Sequence, residues 1–130
     1  MKFEIFKLES VTSTNDEAMN LIKNKKREFG CIYADTQTKG RGMQGKTWIS
    51  EKGNLFGSIF FPLENNYPPF NEFSIINPVI ISNVIKKFCK KKKISFKWPN
   101  DVFVDGRKIS LISASIMFDS IVAFNSVPIL

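Results

Sequence analysis

The chain has 130 residues, of which 43% are hydrophobic, and this size and composition are typical of a single globular domain. It contains no histidine, which excludes Ser-His-Asp and Cys-His nucleophilic chemistry and any zinc site with histidine ligands. The formal net charge of +7 favours anionic partners, but charge alone does not distinguish nucleic acid, an anionic membrane and a phosphorylated ligand.

Several patterns bear on compartment and partners. No apolar run reaches the ~18 residues of a transmembrane helix, and residues 1–10 alternate in polarity, so we expect a soluble, cytoplasmic protein without membrane association. Cys31 and Cys89 match no C-x-x-C spacing and are expected to be buried thiols. The lysines at positions 86, 87 and 90–93 indicate the solvated end of a helix, and nucleic-acid binding is not expected.

The N-terminal segment predicts a strand followed by a helix. Residues 3–8 alternate as a strand does, and Thr14 with Glu17 forms a capping box that opens a helix. Ser13, Thr14 and Asn15 therefore lie at a helix N-terminus, where backbone N–H groups and the dipole favour a carboxylate or polar ligand group. Capping alone is the alternative explanation of these residues.

A glycine-rich loop, residues 37–48, separates a predicted short strand at 31–36 from a largely apolar strand at 55–61. Its glycines, at positions 40, 42 and 45, let backbone N–H groups approach a phosphate, and Arg41 and Lys46 add positive charge. Residues 40–47 also fit the P-loop pattern, but a P-loop must open a helix and β-prone residues follow here. We therefore prefer an anion-binding loop, with a mobile surface loop as the alternative.

The C-terminal half predicts one helix and a set of strands. The apolar spacing of residues 76–88 is helical, with Pro78 predicting a kink or a late start. Residues 94–98 and 102–104 predict strands, and Asp105-Gly106 is a hairpin turn that returns Lys108 alongside the KWPND segment at 97–101. Two further apolar, β-prone runs follow at 111–117 and 121–127.

Strands and helices mix without regular β-α-β alternation. This predicts an α+β domain with a mixed or antiparallel sheet and helices mainly on one face.

Motifs in a fixed order resemble the catalytic domain of biotin protein ligases. They are S-T-N at 13–15, Q-x-x-G-R-G-x-x-G-K-x-W at 37–48, KWPND at 97–101 and a lysine after a hairpin at Lys108. The resemblance covers residues 3–110 and implies the fold of class II aminoacyl-tRNA synthetases and biotin synthetases. Residues 1–130 would then form a single, partial catalytic domain, with no N-terminal DNA-binding domain and no C-terminal β-domain.

The resemblance implies a two-step ligation. Biotin and MgATP would form biotinyl-5'-adenylate, and a lysine of a biotin carboxyl carrier protein domain would then take the biotinyl group. Cationic side chains and backbone donors can offset the repulsion between the biotin carboxylate and the α-phosphate, so the reaction needs no histidine. Magnesium would arrive with ATP, and no dedicated metal site is predicted.

Site residues are implied by position in the family's motifs. Lys108 and Arg41 would be the catalytic residues. Biotin would be bound by Ser13, Thr14, Asn15, Gln37, Gly40 and Arg41. ATP and the adenylate would be bound by Gly42, Gly45, Lys46, Trp48, Asn100 and Lys108, with Trp48 beside the adenine and Asn100 orienting the nucleotide or its magnesium.

Departures from the family pattern leave other functions open. Met43 and Gln44 stand where the family usually has basic residues, and the segment from Leu111 lacks the family's glycine turn. The sequence is therefore expected to be truncated and divergent after about residue 110. One alternative is a catalytically impaired or vestigial biotin-binding module, and another is an enzyme like the lipoate-protein ligases, which generally lack this GRGxxG and KWPND combination.

Overall fold

The computed structural model describes residues 2–25, 27–41, 46–117 and 120–128. The strands in these ranges are β1 (Glu4–Val11), β2 (Gly30–Gln37), β3 (Gly40–Arg41), β4 (Thr47–Trp48), β5 (Asn54–Pro62), β6 (Ile94–Lys97), β7 (Asp101–Val104), β8 (Arg107–Met117) and β9 (Ser120–Pro128). The helices are α1 (Thr14–Lys25) and α2 (Phe73–Phe88), and a single 3-10 turn (Phe70–Glu72) precedes α2. None of the described helices is long and apolar enough to cross a membrane.

The main sheet has seven strands in the order β1-β2-β5-β9-β8-β7-β6. Strands β1 and β2 are parallel because the crossover through α1 joins them, and each later pair in this order is antiparallel. Strands β3 and β4 form a separate short ladder. The predicted α+β class with a mixed sheet is confirmed.

The two helices cover opposite faces of this sheet. Helix α1 packs through Ala18 and Leu21 against Phe60 of β5. Helix α2 packs against Ile112 of β8, which aligns through β9 with Gly57 of β5. Because side chains alternate along a strand, Gly57 and Phe60 belong to opposite faces.

Placement of the helices thus differs from the expectation of helices mainly on one face. The physical reason is the composition of β5, which is apolar on both sides. Phe56 and Phe60 are fully buried on the α1 face, while Ile59 and Phe61 point to the α2 face. A strand that is apolar on both faces needs cover on both.

Two local predictions in the C-terminal half concern the start of helix α2 and the Asp105-Gly106 turn. Helix α2 begins at Phe73 and runs through Pro78, so the late start, one of the two alternatives predicted for Pro78, is wrong. Both Phe73 and Pro78 are buried. The free energy gained from their packing offsets the loss of the backbone hydrogen bond that a proline cannot donate. The Asp105-Gly106 hairpin turn is confirmed, with positive φ angles of 48° and 77° at these residues.

Gly30 illustrates how closely β2 approaches its neighbours. A Cβ atom at this position would lie 2.7 Å from Cζ of Phe60 and 3.0 Å from the backbone oxygen of Glu4. We expect Gly30→Ala to lower the free energy of unfolding by about 1–3 kcal/mol, because the Phe60 ring must move inside a packed core. Urea denaturation measures this loss. Gly57→Ala is the matched control, since its Cβ has its nearest contact at 3.4 Å, and equal losses in both variants would refute the explanation.

An apolar cavity of about 580 Å³ opens between α2 and the sheet face opposite α1. Cys31, Tyr33 and Ile59 line it from the sheet, and Ile76 and Ile80 line it from the helix. Among the residues that the structure describes, none of those expected to bind biotin or ATP lines this cavity.

The thiol of Cys31 is half-buried at this cavity, and burial raises its pKa. Because the thiolate is the reacting species, iodoacetamide should alkylate Cys31 more slowly in the folded chain than in urea. The midpoint of the rate against pH should also move upward on folding. Measurement in Cys89→Ser isolates this thiol, and a midpoint that is the same in the folded and unfolded chain would contradict the prediction.

Candidate functional site

Helix α1 begins in a buried polar environment. Ser13 and Thr14 are only 1% and 0% exposed. The backbone N–H of Glu17 donates to the Ser13 carbonyl oxygen (3.1 Å), and the N–H of Asn15 donates to Ser13 Oγ (3.2 Å). Ser13 is therefore the capping residue, and the predicted Thr14–Glu17 capping box is wrong. The reason is that the Thr14 hydroxyl forms hydrogen bonds with Gln37 of β2 and Ser58 of β5.

The Thr14 side chain lies in a chain of hydrogen bonds. Gln37 Oε1 accepts from Thr14 N (2.9 Å) and from Thr14 Oγ1 (3.2 Å), and Thr14 Oγ1 lies 2.9 Å from Ser58 Oγ. A carbonyl oxygen only accepts, so the Thr14 proton points to Gln37 and the Ser58 hydroxyl donates to Thr14. Gln37 Nε2 then donates outward to Ser50 Oγ (3.2 Å). These bonds fix the orientation of the Gln37 amide.

Ser58 and Ser50 were missed by the reasoning from sequence. Ser58 is fully buried on β5, in the middle of an otherwise apolar strand. A buried hydroxyl in such a strand requires a hydrogen-bond partner, and that requirement was a usable signal. Its partner, Thr14, is distant in sequence and could be identified only from the fold.

Polar atoms remain at the start of α1 for a ligand. Among the described residues, the buried Oδ1 of Asn15 has no hydrogen-bond partner. The Gln37 amide carries a second N–H besides the one that donates to Ser50. The cluster therefore combines a buried acceptor with an amide donor, which suits a ligand that carries N–H groups next to a carbonyl oxygen.

The KWPND segment forms the turn between β6 and β7. Asn100 is 7% exposed, and its backbone oxygen accepts the N–H of Ile112 (3.0 Å). Asp101 is the first residue of β7 and pairs with Lys97 on one side and Leu111 on the other. The turn is thus held from both sides by backbone pairing.

Lys108 lies beside this turn, as the hairpin prediction requires. Its Nζ atom is 2.8 Å from Asp101 Oδ1, and the two side chains are 39% and 19% exposed. Lys108 pairs with Phe103, and a register shift in the hairpin pairs Asp101 with Leu111. Lys108 and Asp101 consequently share one sheet face, while Val102 is buried on the other.

The two polar clusters belong to the same sheet face. Pairing from β5 through β9 to β8 aligns Ser58 with Ser113, and Leu111 pairs with Asp101 of β7. Directly paired residues point to the same side, as do residues two apart on a strand. The Thr14–Gln37–Ser58 cluster and the Lys108–Asp101 pair therefore both lie on the face that packs against α1.

The glycine-rich loop is described only at its ends. Gly40 is buried and pairs with Trp48, and Arg41 pairs with Thr47, so the two ends lie side by side. Lys46 is exposed. The segment after Lys46 forms β4 and then β5, so the helix of a P-loop is replaced by strands. Predictions on Gly42, Met43, Gln44 and Gly45, and on the side chains of Arg41, Trp48 and Leu111, fall outside the described residues.

In the ranges that the structure describes, no group of three or more His, Cys, Asp and Glu residues is arranged to hold a metal ion.

Comparison with known proteins identifies relatives over most of the chain. The sequence pattern of the Biotin/lipoate A/B protein ligase family matches residues 6–123. The chain is 33% identical over 101 residues to the bifunctional ligase/repressor BirA of Escherichia coli, covering 77% of this chain and 31% of that protein. Curated relatives such as BirA are thus about three times as long as the stretch they share with this chain.

Solved structures of relatives share the fold. Biotin acetyl coenzyme A carboxylase synthetase from Helicobacter pylori, crystallised with bound biotinylated ATP, gives a TM-score of 0.84 at 22% identity. That match covers 97% of this chain and 61% of the other. Biotin protein ligase from Leishmania major in complex with biotinyl-5-AMP gives a TM-score of 0.76 at 26% identity, covering 95% of this chain and 56% of the other.

Proposed function

Because the chain belongs to the biotin/lipoate protein ligase family and forms part of a biotin protein ligase catalytic domain, we propose that it attaches biotin to a protein through a biotinyl-adenylate. The proposal is supported most by the sheet face that the Thr14–Gln37–Ser58 cluster shares with Lys108. One part of that face suits the ring of biotin, and the other suits its carboxylate.

The ring of biotin contains a urea group, with one carbonyl oxygen between two N–H groups. The unpartnered Asn15 Oδ1 can accept one of those N–H groups, and the second Gln37 N–H can donate to the carbonyl oxygen. Ser13 and Thr14 hold the start of α1 and the amide of Gln37 in place. A buried polar site of this kind discriminates strongly, since a ligand without the urea group would leave Asn15 unpaired.

Lys108 would act at the other end of the ligand. The biotin carboxylate attacks the α-phosphate of ATP, the bond from that phosphorus to the β-phosphate oxygen breaks, and pyrophosphate leaves. Two anions approach each other in this step, and the ammonium group of Lys108 would offset their repulsion and stabilise the charge that develops on the phosphate. Arg41 would assist with the carboxylate and phosphate.

The nucleotide would lie over the glycine-rich loop and the KWPND turn. Gly40, Gly42 and Gly45 would contribute backbone N–H groups, Lys46 would contribute a cation, and Trp48 would flank the adenine. Magnesium would enter on the phosphates of ATP, because such ions usually need only one or two protein oxygen ligands, and Asn100 stands beside Asp101 in the turn.

The second step transfers the biotinyl group. The neutral amine of an acceptor lysine attacks the carbonyl carbon of the adenylate, and AMP leaves with the electron pair of the broken C–O bond. The attacking nitrogen loses one proton to solvent, which leaves a neutral amide. We propose a biotin carboxyl carrier domain as the acceptor, since the Helicobacter pylori relative is named for acetyl coenzyme A carboxylase.

A cytoplasmic location stays a prediction.

Biotin-dependent exchange of labelled pyrophosphate into ATP tests the first step directly. We expect exchange that requires biotin and magnesium and that is not supported by lipoate. Exchange with lipoate instead would select a lipoate-protein ligase. A folded chain that binds biotin but catalyses no exchange would select a biotin-binding module without turnover.

A further inference from the structure

The carboxylate of Asp101 contacts the ammonium group on which the proposed adenylation depends. Lys108 Nζ lies 2.8 Å from Asp101 Oδ1. We infer that Asp101 is a positioning residue, which holds the Lys108 ammonium at the site and competes with incoming substrate anions for it. This inference rests on the proposed function.

The anchoring partner of the pair is Asp101. Its backbone pairs with Lys97 on one side and with Leu111 on the other, and its side chain is only 19% exposed. Lys108 follows the Asp105-Gly106 turn and carries a flexible four-carbon chain with a compact charge. A fixed carboxylate at 2.8 Å therefore restricts the rotamers of a side chain that would otherwise sample many positions.

The Lys108 side chain is also exposed enough for a second anion to reach it. It is 39% exposed, about twice as exposed as the carboxylate that it contacts. An ammonium group has three donors, so it can contact Asp101 and a ligand carboxylate or phosphate together. Like charges disfavour that arrangement, and Asp101 therefore weakens anion binding while keeping the ammonium in place.

Asp101→Asn separates these two effects, because it removes the charge with little change in size. Biotin should bind about two- to fivefold more tightly, since the competing anion is lost. The maximal rate of pyrophosphate exchange should fall by about ten- to a hundredfold, since the ammonium is no longer held in position. Tighter ground-state binding with a slower maximal rate is not expected from a residue that serves the fold alone.

A direct contact between Asp101 and magnesium is the rival explanation, and a double-mutant cycle distinguishes it. Titrations of biotin in EDTA, without nucleotide, compare the parent chain with Asp101→Asn, Lys108→Gln and the double variant. If Asp101 acts through Lys108, the effect of Asp101→Asn on biotin affinity disappears in the Lys108→Gln background. If Asp101 is instead a magnesium ligand, Asp101→Asn leaves biotin affinity in EDTA unchanged both with Lys108 and with Lys108→Gln, and that result overturns the inference.

The remaining outcomes are also decisive. An equal effect of Asp101→Asn in both backgrounds overturns the inference, and so does an unchanged exchange rate. If Asp101→Asn fails to fold, Asp101→Glu replaces it, because the longer side chain displaces the carboxylate and should slow exchange without tightening biotin. If the folded parent chain binds no biotin, the proposed function fails and the inference fails with it, which differs from failure of the cycle alone.

Discussion

Lys108→Ala is expected to lower the rate of biotin-dependent pyrophosphate exchange by about two to three orders of magnitude. The variant removes the cation that offsets repulsion between the biotin carboxylate and the α-phosphate. It also leaves the half-buried Asp101 carboxylate without this partner, which adds a repelling charge at the same place. Initial-rate measurements at saturating biotin and ATP report the effect.

The chain offers a matched control for this variant. Lys92 Nζ lies 2.9 Å from Asp105 Oδ2 at the far end of the hairpin, so Lys92→Ala also removes the cation of a Lys–Asp pair. We expect Lys92→Ala to exchange at the parental rate and both variants to keep the parental circular dichroism spectrum. Equal losses of activity in the two variants would mean that general charge, not the position of Lys108, determines the rate.

Thr14→Val is expected to weaken biotin binding by about ten- to a hundredfold and to lower the free energy of unfolding by about 1–3 kcal/mol. Valine has nearly the shape of threonine but no hydroxyl group. Gln37 Oε1 loses one of its two donors, and the buried Ser58 hydroxyl loses its partner. The Gln37 amide is then less well fixed for a ligand. Calorimetric titration and urea denaturation measure the two effects.

Thr36→Val serves as the control for the loss of a threonine hydroxyl. Thr36 is also on β2, but its hydroxyl donates to the Glu9 carbonyl oxygen in an exposed hydrogen bond of 3.2 Å. Water can replace a bond of that kind, so little change in stability or biotin affinity is expected. Biotin affinity that falls as far in Thr36→Val as in Thr14→Val would argue against the role of the buried cluster.

Local order in this chain was readable from the sequence. Alternation of apolar residues predicted β1, a short β-prone segment and a largely apolar run predicted β2 and β5, helical spacing predicted α2, and Asp105-Gly106 predicted the hairpin that returns Lys108. These elements depend on neighbouring residues, since strand alternation, helical periodicity and a two-residue turn are all short-range properties. Short-range patterns therefore sufficed for these elements and for the fold class.

Contacts between distant elements were not readable in the same way. Ser13 caps α1 in place of the predicted Thr14, because Thr14 forms hydrogen bonds with Gln37 and Ser58, which lie 23 and 44 residues away. The helices cover both faces because β5 is apolar on both sides. The sequence of β5 does not specify which helix packs on which face. Local rules give way where a long-range contact satisfies the same group.

The candidate site shows the same division. Its motifs predicted Thr14, Gln37 and Lys108 as site residues, and the structure shows Thr14 in contact with Gln37 and Lys108 in contact with Asp101. The Asp101 contact depends on a register shift in the β7–β8 ladder. An irregularity of one residue in a hairpin changes which side chains meet, and no turn signal in the sequence specifies it. The sequence therefore predicted the segments of the candidate site, and the fold shows which of their side chains meet.

Titration calorimetry of biotin into the purified 130-residue chain, without nucleotide, tests most directly whether the Thr14–Gln37–Ser58 cluster and Lys108 form one biotin site. Circular dichroism first establishes that the sample is folded. We predict saturable binding at one site per chain, weakened both by Thr14→Val and by Lys108→Ala. A folded chain that binds no biotin would contradict the account. So would biotin binding that stays at the parental affinity in Thr14→Val or in Lys108→Ala.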